Sequence, residues 1–229
     1  MKTNASIFAA AMLILGACLA PAAEKAAPAG VFDLRNWKLQ IPGPAEVKVL
    51  GGYSADYFCL NAAREMCFHL DAAEKGATAN AHYVRSELRH MPNWKTSEAH
   101  TLSGEFRVVP KLTPDKVTAM QIHGINEDGS DAPPLLRIAV NNGDLVAVLK
   151  SDNEGDKSDT IVLKKAMGGR FVKVDVSVRN KQLKITVDNE VKLTRSLAFW
   201  KYLNYFKAGC YPQATKGTVD VFFRKLTVQ

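Results

Sequence analysis

Apolar and polar residues alternate with a period of two along much of this chain, and this pattern constrains the fold more than any other feature. Residues 172–179 alternate strictly, residues 183–188 repeat the pattern, and Asn180-Lys181 supplies a tight turn between them. A second pair of apolar segments, 135–140 and 145–150, flanks the hairpin signal Asn-Asn-Gly-Asp. Many short strands and few helices predict an all-β fold, an antiparallel β-sandwich of jelly-roll type.

The rest of the chain beyond residue 30 fits the same architecture. The pattern predicts a polar loop over 152–159 and a closing strand over 219–228, and it allows one short helix over 197–203. No linker or change of composition divides residues 31–229. We therefore expect one domain over that range.

The composition is that of an ordinary soluble globular protein. Of the 229 residues, 47% are hydrophobic and 23% are charged, which excludes disordered and collagen-like chains. The single long apolar run lies at the N-terminus, which excludes a membrane protein with several spans. The 30 Lys and Arg against 23 Asp and Glu give a net charge of +7. That surplus favours an acidic partner: nucleic acid, anionic lipid or an acidic polysaccharide.

The N-terminus has the features of a secretory signal peptide. Lys2 precedes the apolar run 6–15, and the small-residue sequence Ala-Pro-Ala follows at 20–22. The apolar run is too short to span a bilayer by itself. We therefore predict a signal peptide over residues 1–22 and export of the protein, either secreted or periplasmic.

A lipid anchor is the second interpretation of the same segment. The tetrad Leu-Gly-Ala-Cys at 15–18 resembles the lipobox of bacterial lipoproteins, although Gly is less usual than Ala or Ser in its second place. Lipidation at Cys18 therefore ranks second, and it is the one route to membrane contact that the sequence suggests. Residues 23–30 are rich in Ala and Pro and predict a flexible lead-in under either interpretation.

Cysteine usage agrees with export. Cys59 and Cys67 flank the polar segment 61–65, so a hairpin would bring them together and an oxidising compartment would let them form a disulfide. Two buried thiols are the alternative. The sequence has no CxxC pair and no Cys/His ligand spacing, so we predict no structural zinc site.

Two strands carry polar side chains on one face and mainly apolar ones on the other. Arg85, Glu87 and Arg89 share a face, where two guanidiniums around one carboxylate suit bidentate capture of carboxylates. A solvated, salt-bridged strand face is the alternative for this motif. Gln121 and His123 also share a face, and an amide beside an imidazole can stabilise negative charge and handle a proton.

A third strand carries two phenols, an ammonium and an amide on one face. Tyr205, Lys207, Gly209, Tyr211 and Gln213 occupy alternate positions. Gly in a strand often marks close approach by a ligand or by another backbone. Ordinary sandwich aromatics would explain the tyrosines but not the lysine and the glutamine beside them. The face is therefore typical of a ligand-binding groove.

The three blocks RSELR, QIH and YFKAGCYPQ resemble, in order and in spacing, the signature blocks of polysaccharide lyase family 7, the alginate lyases. The segment 32–42 resembles the first strand of that family, so the similarity covers nearly all of residues 31–229. Cys210 and Pro212 depart from the pattern, since the family more often has an aliphatic residue and Asn there. The resemblance implies a jelly roll whose concave face binds an alginate chain. It also implies cleavage by β-elimination with no redox cofactor and usually no metal.

The resemblance also implies roles for individual residues. Tyr211 would be the catalytic acid and base, while Arg85, Gln121 and His123 would surround the uronate carboxylate. Five other residues would line or brace the neighbouring subsites: Glu87, Arg89, Tyr205, Lys207 and Gln213. In the family, Ile at the position of Ile122 tends to accompany activity on guluronate-containing blocks.

The chemistry of β-elimination agrees with these residue types. Loss of the C5 proton of a uronate places charge on the adjacent carboxylate, which Arg85 and the Gln121/His123 pair would neutralise. A tyrosine, with an ordinary pKa of about 10, needs nearby positive charge to act as a base near neutral pH. Lys207 and the arginines are candidates to supply that charge. If His123 removes the C5 proton of one uronate epimer, Tyr211 acts only as the acid. The sequence leaves open whether Tyr211 takes both roles or shares them with His123.

Other functions fit the sequence less well. A non-catalytic polyuronate-binding module would not need the full set of Arg, Gln, His and Tyr side chains. A glycosidase would need a carboxylate pair, and Glu87 is the one acid on the three strands. No G-x-S-x-G elbow supports a serine enzyme, export disfavours nucleic acid as a partner, and no protein partner is evident. A lyase acting on another polyuronate, such as glucuronan, is the nearest alternative.

Overall fold

A computed structural model describes residues 25–74, 83–113, 115–154 and 156–229. The predicted signal peptide, with Cys18, lies outside the described residues. Within the described ranges, no helix has the length and apolar character needed to cross a membrane.

Strands account for nearly all of the regular structure, as the period of two predicts. Within the described residues the one helical segment is a short 3₁₀ turn at Pro28–Gly30. The strands, in chain order, are β1 (Trp37–Gln40), β2 (Glu46–Val47), β3 (Cys59–Leu60), β4 (Met66–Asp71), β5 (Ser86–His90), β6 (His100–Thr113), β7 (Lys116–Ile125), β8 (Asp131–Asn141), β9 (Asp144–Lys150), β10 (Ser158–Lys164), β11 (Val172–Arg179), β12 (Gln182–Val187), β13 (Glu190–Ser196), β14 (Leu203–Pro212) and β15 (Lys216–Val228).

The strands form two antiparallel sheets packed face to face. The first has the order β10-β9-β8-β7-β14-β5-β1-β2, and the second has the order β13-β12-β11-β6-β15-β4-β3. The apolar faces meet in a core that includes the fully buried rings of Phe68, Phe106, Phe206 and Phe223. Burying such faces against each other is the main stabilising contribution to a two-layer fold. The predicted antiparallel sandwich is confirmed.

The two hairpin turns predicted from the sequence are confirmed. Asn180 and Lys181 join β11 to β12 with φ angles of 49° and 58°. Asn142 and Gly143 join β8 to β9 with φ angles of 49° and 80°. Positive φ at both central residues is the signature of the type I′ turn, whose twist matches that of the flanking strands.

Three local predictions differ from the structure. Residues 197–203 form a turn rather than a helix, because one bond from the Trp200 amide to the Leu197 carbonyl, 3.0 Å, closes a single turn before β14 begins. The polar loop predicted over 152–159 ends earlier, since β10 begins at Ser158. Within the predicted flexible lead-in, residues 25–30 are ordered by bridging between Ala26 and Leu60, whose backbone groups bond at 2.8 Å, and by burial of Pro28.

Cys59 and Cys67 lie directly opposite each other on β3 and β4, as the predicted hairpin requires. Both are free thiols in the structure, so the predicted disulfide is not formed there. Burial, followed by the proximity of Cys59, raises the pKa of Cys67 to about 12, which keeps that thiol protonated and slow to oxidise. Directly opposed residues in an antiparallel pair have Cα atoms about 4.5–5.5 Å apart, which is within the range a disulfide spans. The bond therefore stays a prediction for the exported protein.

Free-thiol labelling of the denatured, unreduced protein tests this pairing. If export oxidises Cys59 and Cys67, we expect label on Cys210 alone, because its buried thiol has no described cysteine directly opposite it. Labelling after reduction, where all three cysteines should react, is the control. Label on all three without reduction would contradict the disulfide.

Candidate active site

The sheet order brings the three sequence blocks side by side. β14 lies between β7 and β5, so Lys207 is opposite Gln121 on one side and opposite Arg89 on the other. On β14 the residues between the polar positions, such as Phe206, are buried in the core. The polar residues therefore share the outer face of the eight-stranded sheet, which we call the site face. Its members are Arg85, Glu87, Arg89, Gln121, His123, Tyr205, Lys207, Gly209 and Tyr211.

Gly209 allows β14 and β5 to approach each other closely. Its φ is 150°, and a Cβ at this position would lie 2.5 Å from the Ser86 carbonyl oxygen and 2.8 Å from the Glu87 Cα. The register between β14 and β7 also shifts in this region, between Ala208 and Tyr211. Gly209 therefore permits close approach by another backbone, which is one of the two explanations for a strand glycine given above, the other being close approach by a ligand.

Glu87 is the centre of a buried ionic network. Its side chain is 0% exposed, and it accepts hydrogen bonds from Lys207 Nζ at 2.5 Å and from Gln121 Nε2 at 2.5 Å. Arg85 adds a longer contact of 3.8 Å from Nη1 to the same carboxylate. Burial acts to raise the pKa of Glu87, but Lys207 and Arg85 outweigh it, so the pKa lies below its ordinary value. Glu87 is therefore a carboxylate at neutral pH.

Lys207 belongs to the site face by its position on β14, but its side chain is buried against Glu87 and does not project into solvent. Its side chain is 1% exposed, and burial lowers its pKa to about 8 although Glu87 opposes the shift. The ammonium is held against Glu87, so Lys207 braces the site more than it presents charge to solvent. This placement agrees with a bracing role and gives the buried carboxylate its main partner.

Tyr211 is half-buried beneath a guanidinium. The Arg85 Cζ lies 4.6 Å from the centre of the Tyr211 ring, and the Tyr83 ring packs edge-on at 6.3 Å. Burial raises the pKa of Tyr211, although Arg85 and Arg137 both act to lower it. The phenol is therefore protonated at neutral pH in the substrate-free site. Nearby cations weaken the effect of burial on this tyrosine but do not reverse it.

Gln213 holds the end of β14 in place. Its Nε2 donates to the Tyr211 carbonyl oxygen at 2.6 Å, and its Oε1 accepts from Thr118 Oγ1 at 3.1 Å. Both bonds lie within the protein, and the Gln213 side chain is largely buried. Gln213 thus fixes the backbone that carries Tyr211.

His123 is held in one tautomer. Its Nδ1 lies 2.9 Å from the Gly124 carbonyl oxygen, and since a carbonyl can only accept, Nδ1 carries the hydrogen and Nε2 keeps its lone pair. Burial, followed by the charge of Lys207, lowers the pKa of His123 to about 4. The imidazole is therefore neutral at neutral pH, with Nε2 as a proton acceptor.

An aromatic and cationic stack supports the imidazole. The Tyr205 ring stacks on His123 with 5.1 Å between ring centres and an interplanar angle of 18°. On Tyr205 lies the Arg89 guanidinium, with Cζ 4.0 Å from the ring centre. Arg89 is itself fixed by a bond to Asn93 Oδ1 at 3.1 Å. Burial raises the pKa of Tyr205 to about 12, so this phenol stays protonated.

The site face thus combines a neutral imidazole, a protonated phenol and several cations around one buried carboxylate. A proton acceptor and a proton donor beside guanidiniums suit proton transfer on an anionic substrate. Among the described residues, no group of three or more His, Cys, Asp or Glu side chains is arranged to hold a metal ion.

Comparison with known proteins now identifies the family. A family model described as alginate lyase matches residues 32–229. The chain belongs to the alginate lyase family, polysaccharide lyase family 7. A curated alginate lyase from Photobacterium sp. (strain ATCC 43367) is 26% identical over 200 residues, which cover 66% of this chain and 67% of that protein. The enzyme class is therefore that of a polysaccharide lyase.

Solved structures of alginate lyases share the jelly-roll fold with this chain. The family 7 alginate lyase A1-II′ in complex with a product, GGG, superposes with a TM-score of 0.82 at 31% identity, covering 89% of this chain and 99% of that one. A complex of A1-II′ with a substrate, GGMG, gives 0.80 at 30% identity, covering 90% and 97%. The alginate lyase PA1167 from Pseudomonas aeruginosa gives 0.75 at 22% identity, covering 86% and 99%, and supports the fold alone. The predicted jelly roll is confirmed.

Arg137 and Thr118 are residues of the candidate site that sequence reasoning missed. Arg137 on β8 is directly opposite Gln121, and Thr118 bonds to Gln213. A signal for Arg137 was present, since it is a single cation in the apolar segment 135–140. The connection Asn-Glu-Asp-Gly-Ser at 126–130 is a hairpin signal that places β8 next to β7, but it does not give the register that sets Arg137 opposite Gln121.

The imidazole of His123 is expected to titrate near pH 4 in the free lyase, well below the ordinary 6.5. Burial and Lys207 disfavour the charged form, so Nε2 keeps its lone pair as the pH falls through 6 and 5. Because the unfolded chain binds this proton near 6.5, His123 also makes the folded state lose stability as the pH falls from 6.5 towards 4. Titration of the imidazole resonances by NMR, with His123→Asn to assign the signal, measures the midpoint. A midpoint near 6.5 would contradict the geometry described for His123.

Proposed function

We propose that this lyase cleaves alginate by β-elimination on the site face, leaving a 4,5-unsaturated uronate on one product. The observation that carries the proposal is that a neutral His123 and a protonated Tyr211 lie on the same face of the sheet, with the Arg85 guanidinium over the Tyr211 ring. Binding of GGG and GGMG by A1-II′, a structure of the same fold and family, supports an alginate oligosaccharide as the substrate.

Arg85 has hydrogen-bonding capacity left for a uronate carboxylate. Its contact with Glu87 is long, at 3.8 Å, and its buried Nε has no hydrogen-bond partner among the described residues. Gln121 uses one amide hydrogen for Glu87 and has a second to donate. Together they would neutralise the carboxylate as charge develops on it, which is the main electrostatic requirement of the reaction.

The protonation states favour His123 as the base and Tyr211 as the acid. His123 Nε2 takes the proton from C5, the C5–H electrons form the C4=C5 double bond, and the C4–O4 bond breaks. Tyr211 gives its phenolic proton to the departing O4, and exchange between the two residues and solvent restores the site. No oxidant, reductant or water molecule is consumed. Tyr205 and Arg89 keep the imidazole oriented, and Glu87 with Lys207 holds Gln121 in place.

A panel of polyuronates tests the proposal. The purified protein is incubated with alginate, polymannuronate, polyguluronate and glucuronan, and ultraviolet absorbance from unsaturated ends is followed. We expect product from alginate and none from glucuronan. Product from glucuronan alone would show that glucuronan, and not alginate, is the substrate. Binding of alginate without product would favour a non-catalytic polyuronate-binding module.

The family resemblance predicts guluronate-containing blocks as the preferred substrate, through Ile122. The Ile122 side chain is 0% exposed and packs in the core, away from the site face. Any influence on the choice of epimer is therefore indirect, through the positions of Gln121 and His123 on either side. Initial rates on polymannuronate and polyguluronate in the same panel test the preference.

Export is proposed for the same protein. Alginate is a polymer too large to cross a membrane freely, so a lyase that degrades it must meet it outside the cytoplasm. Intact-mass measurement of the mature protein distinguishes cleavage after residue 22 from lipidation at Cys18.

A further inference from the structure

Arg137 is a cation of the site face that the three sequence blocks do not include. It lies on β8 directly opposite Gln121, and cross-strand partners share a face. Its neighbours Leu136 and Ile138 are 0% exposed and belong to the core, so the Arg137 side chain projects to the other face. Tyr211 and Ala139 are both opposite Thr118 on β7, so Arg137 lies two residues along β8 from the level of Tyr211, the acid of the proposed reaction. Tyr211 and Glu87 both act on the charge of Arg137.

The other cations of the site face already have partners. Lys207 is paired with Glu87, while Arg89 stacks on Tyr205 and bonds to Asn93. Arg85 makes a long contact of 3.8 Å with Glu87 and is the group proposed above to bind the carboxylate of the reacting uronate. Glu87, the carboxylate that acts on the charge of Arg137, is itself bonded to Lys207 and Gln121.

The nearest charges to Arg137 include further cations. Burial is the largest cause that lowers the pKa of Lys116 and of Lys150, and Arg137 lowers both further, while Asp152 and Asp156 act on Lys150 in the opposite sense. A half-buried guanidinium among other cations is unfavourable unless an anion joins it. This part of the site face is therefore suited to an anionic ligand.

We propose, resting on the proposed function, that Arg137 binds a second carboxylate of the alginate chain, on the β8 side of Tyr211. The registers set Arg137 level with Arg89, three strand spacings or about 14 Å across the sheet. Arg85 lies four residues before Arg89, so its backbone is about 13 Å further along the strand direction as well. That separation favours two carboxylates on different sugars over one shared carboxylate. Arg137 is thus a substrate-binding residue that favours a chain with a uronate at both positions.

Affinity for an uncleaved alginate tetrasaccharide tests the proposal. The Tyr211→Phe protein serves as the parent for binding, because it retains the ring but not the proton donor. Adding Arg137→Gln is expected to raise Kd by about tenfold or more, the usual loss for a hydrogen bond to a charged group. Arg137→Lys keeps the charge but loses the bidentate geometry, so its Kd should lie between that of the Tyr211→Phe parent and that of the Arg137→Gln variant. Raising the salt concentration should narrow these differences through screening.

Arg179→Gln is the matched control, because it removes an exposed arginine from β11 of the opposite sheet. Its Kd should equal that of the parent. In the protein with Tyr211 intact, Arg137→Gln should raise KM with little change in kcat, which a general loss of structure would not do.

The outcomes separate this inference from the proposed function. If alginate is cleaved but both Arg137 variants bind the tetrasaccharide as tightly as the parent, the inference is wrong and the function stands. If the unmodified protein neither binds nor cleaves alginate, the function fails and the inference falls with it. A fall in kcat with unchanged KM and Kd would also overturn the binding role.

Discussion

Tyr211→Phe is expected to lower kcat on alginate by about two to four orders of magnitude, the usual range for general acid–base catalysis. The substitution removes one hydroxyl and leaves the ring that lies under Arg85 and packs edge-on against Tyr83. Oligosaccharide affinity should change little, because the lost group acts mainly in the transition state. Initial rates and Kd for the same alginate oligosaccharide measure both effects.

Tyr53→Phe is the matched control for this prediction. Its hydroxyl bonds to the Tyr57 hydroxyl at 2.5 Å, and neither residue belongs to the site face. Turnover in Tyr53→Phe should equal that of the unmodified protein. Near-normal turnover in Tyr211→Phe would remove Tyr211 from the chemistry, and Tyr205 or His123 would take over the proton transfer.

Glu87→Ala is expected to have the largest effect on folding, a loss of about 3–5 kcal/mol in the free energy of unfolding. The change leaves Lys207 buried without its carboxylate and takes the acceptor from Gln121 Nε2. Denaturant unfolding followed by circular dichroism measures the loss. Activity should fall as well, because Gln121 is no longer held.

Two further variants distinguish a coupled pair from general damage. Replacing both partners, Glu87→Gln with Lys207→Met, should recover part of the loss, since no buried charge is then left alone. Glu190→Ala breaks the pair with Lys192 on the exposed strand β13, and should cost no more than about 1 kcal/mol. A double variant as unstable as the sum of its single changes would contradict the coupling between Glu87 and Lys207.

The strands were predictable because their alternation is local. Val172–Arg179 is bounded in the structure as the pattern predicted, and the type I′ turns carry Asn142, Gly143 and Asn180, which tolerate positive φ, although Lys181 is not such a residue. The failure at 197–203 is local as well. The apolar residues Leu197 and Trp200 have helical spacing, but that spacing also fits one turn that buries both.

The site was predictable in its members more than in their states. Three motifs and a resemblance identified Arg85, His123 and Tyr211, and the sheet order brings these residues together. Burial, which no local pattern encodes, makes Lys207 an internal partner of Glu87 and leaves Tyr211 protonated. Sequence reasoning named neighbouring cations as candidates to activate the phenol as a base and left that role open, whereas burial outweighs them in the substrate-free site.

Sheet topology explains the residues that were missed. Arg137 joins the site because β8 pairs with β7 in a register that sets it opposite Gln121. The short Asp-Gly connection at 126–130 signals the adjacency, but the register does not follow from the sequence of either strand. The pairing of Cys59 with Cys67 was predictable because a short hairpin joins their strands, but oxidation depends on the compartment as well as on position.

The masses of the products from an alginate tetrasaccharide test β-elimination on this site face most directly. Elimination transfers a proton from C5 to O4 and adds nothing, so the masses of each product pair should sum to the mass of the substrate. Hydrolysis would add one water to that sum. We predict product pairs with no added water for the unmodified protein, formed far more slowly by Tyr211→Phe. Product pairs heavier by one water, or equal rates in the two proteins, would contradict the account.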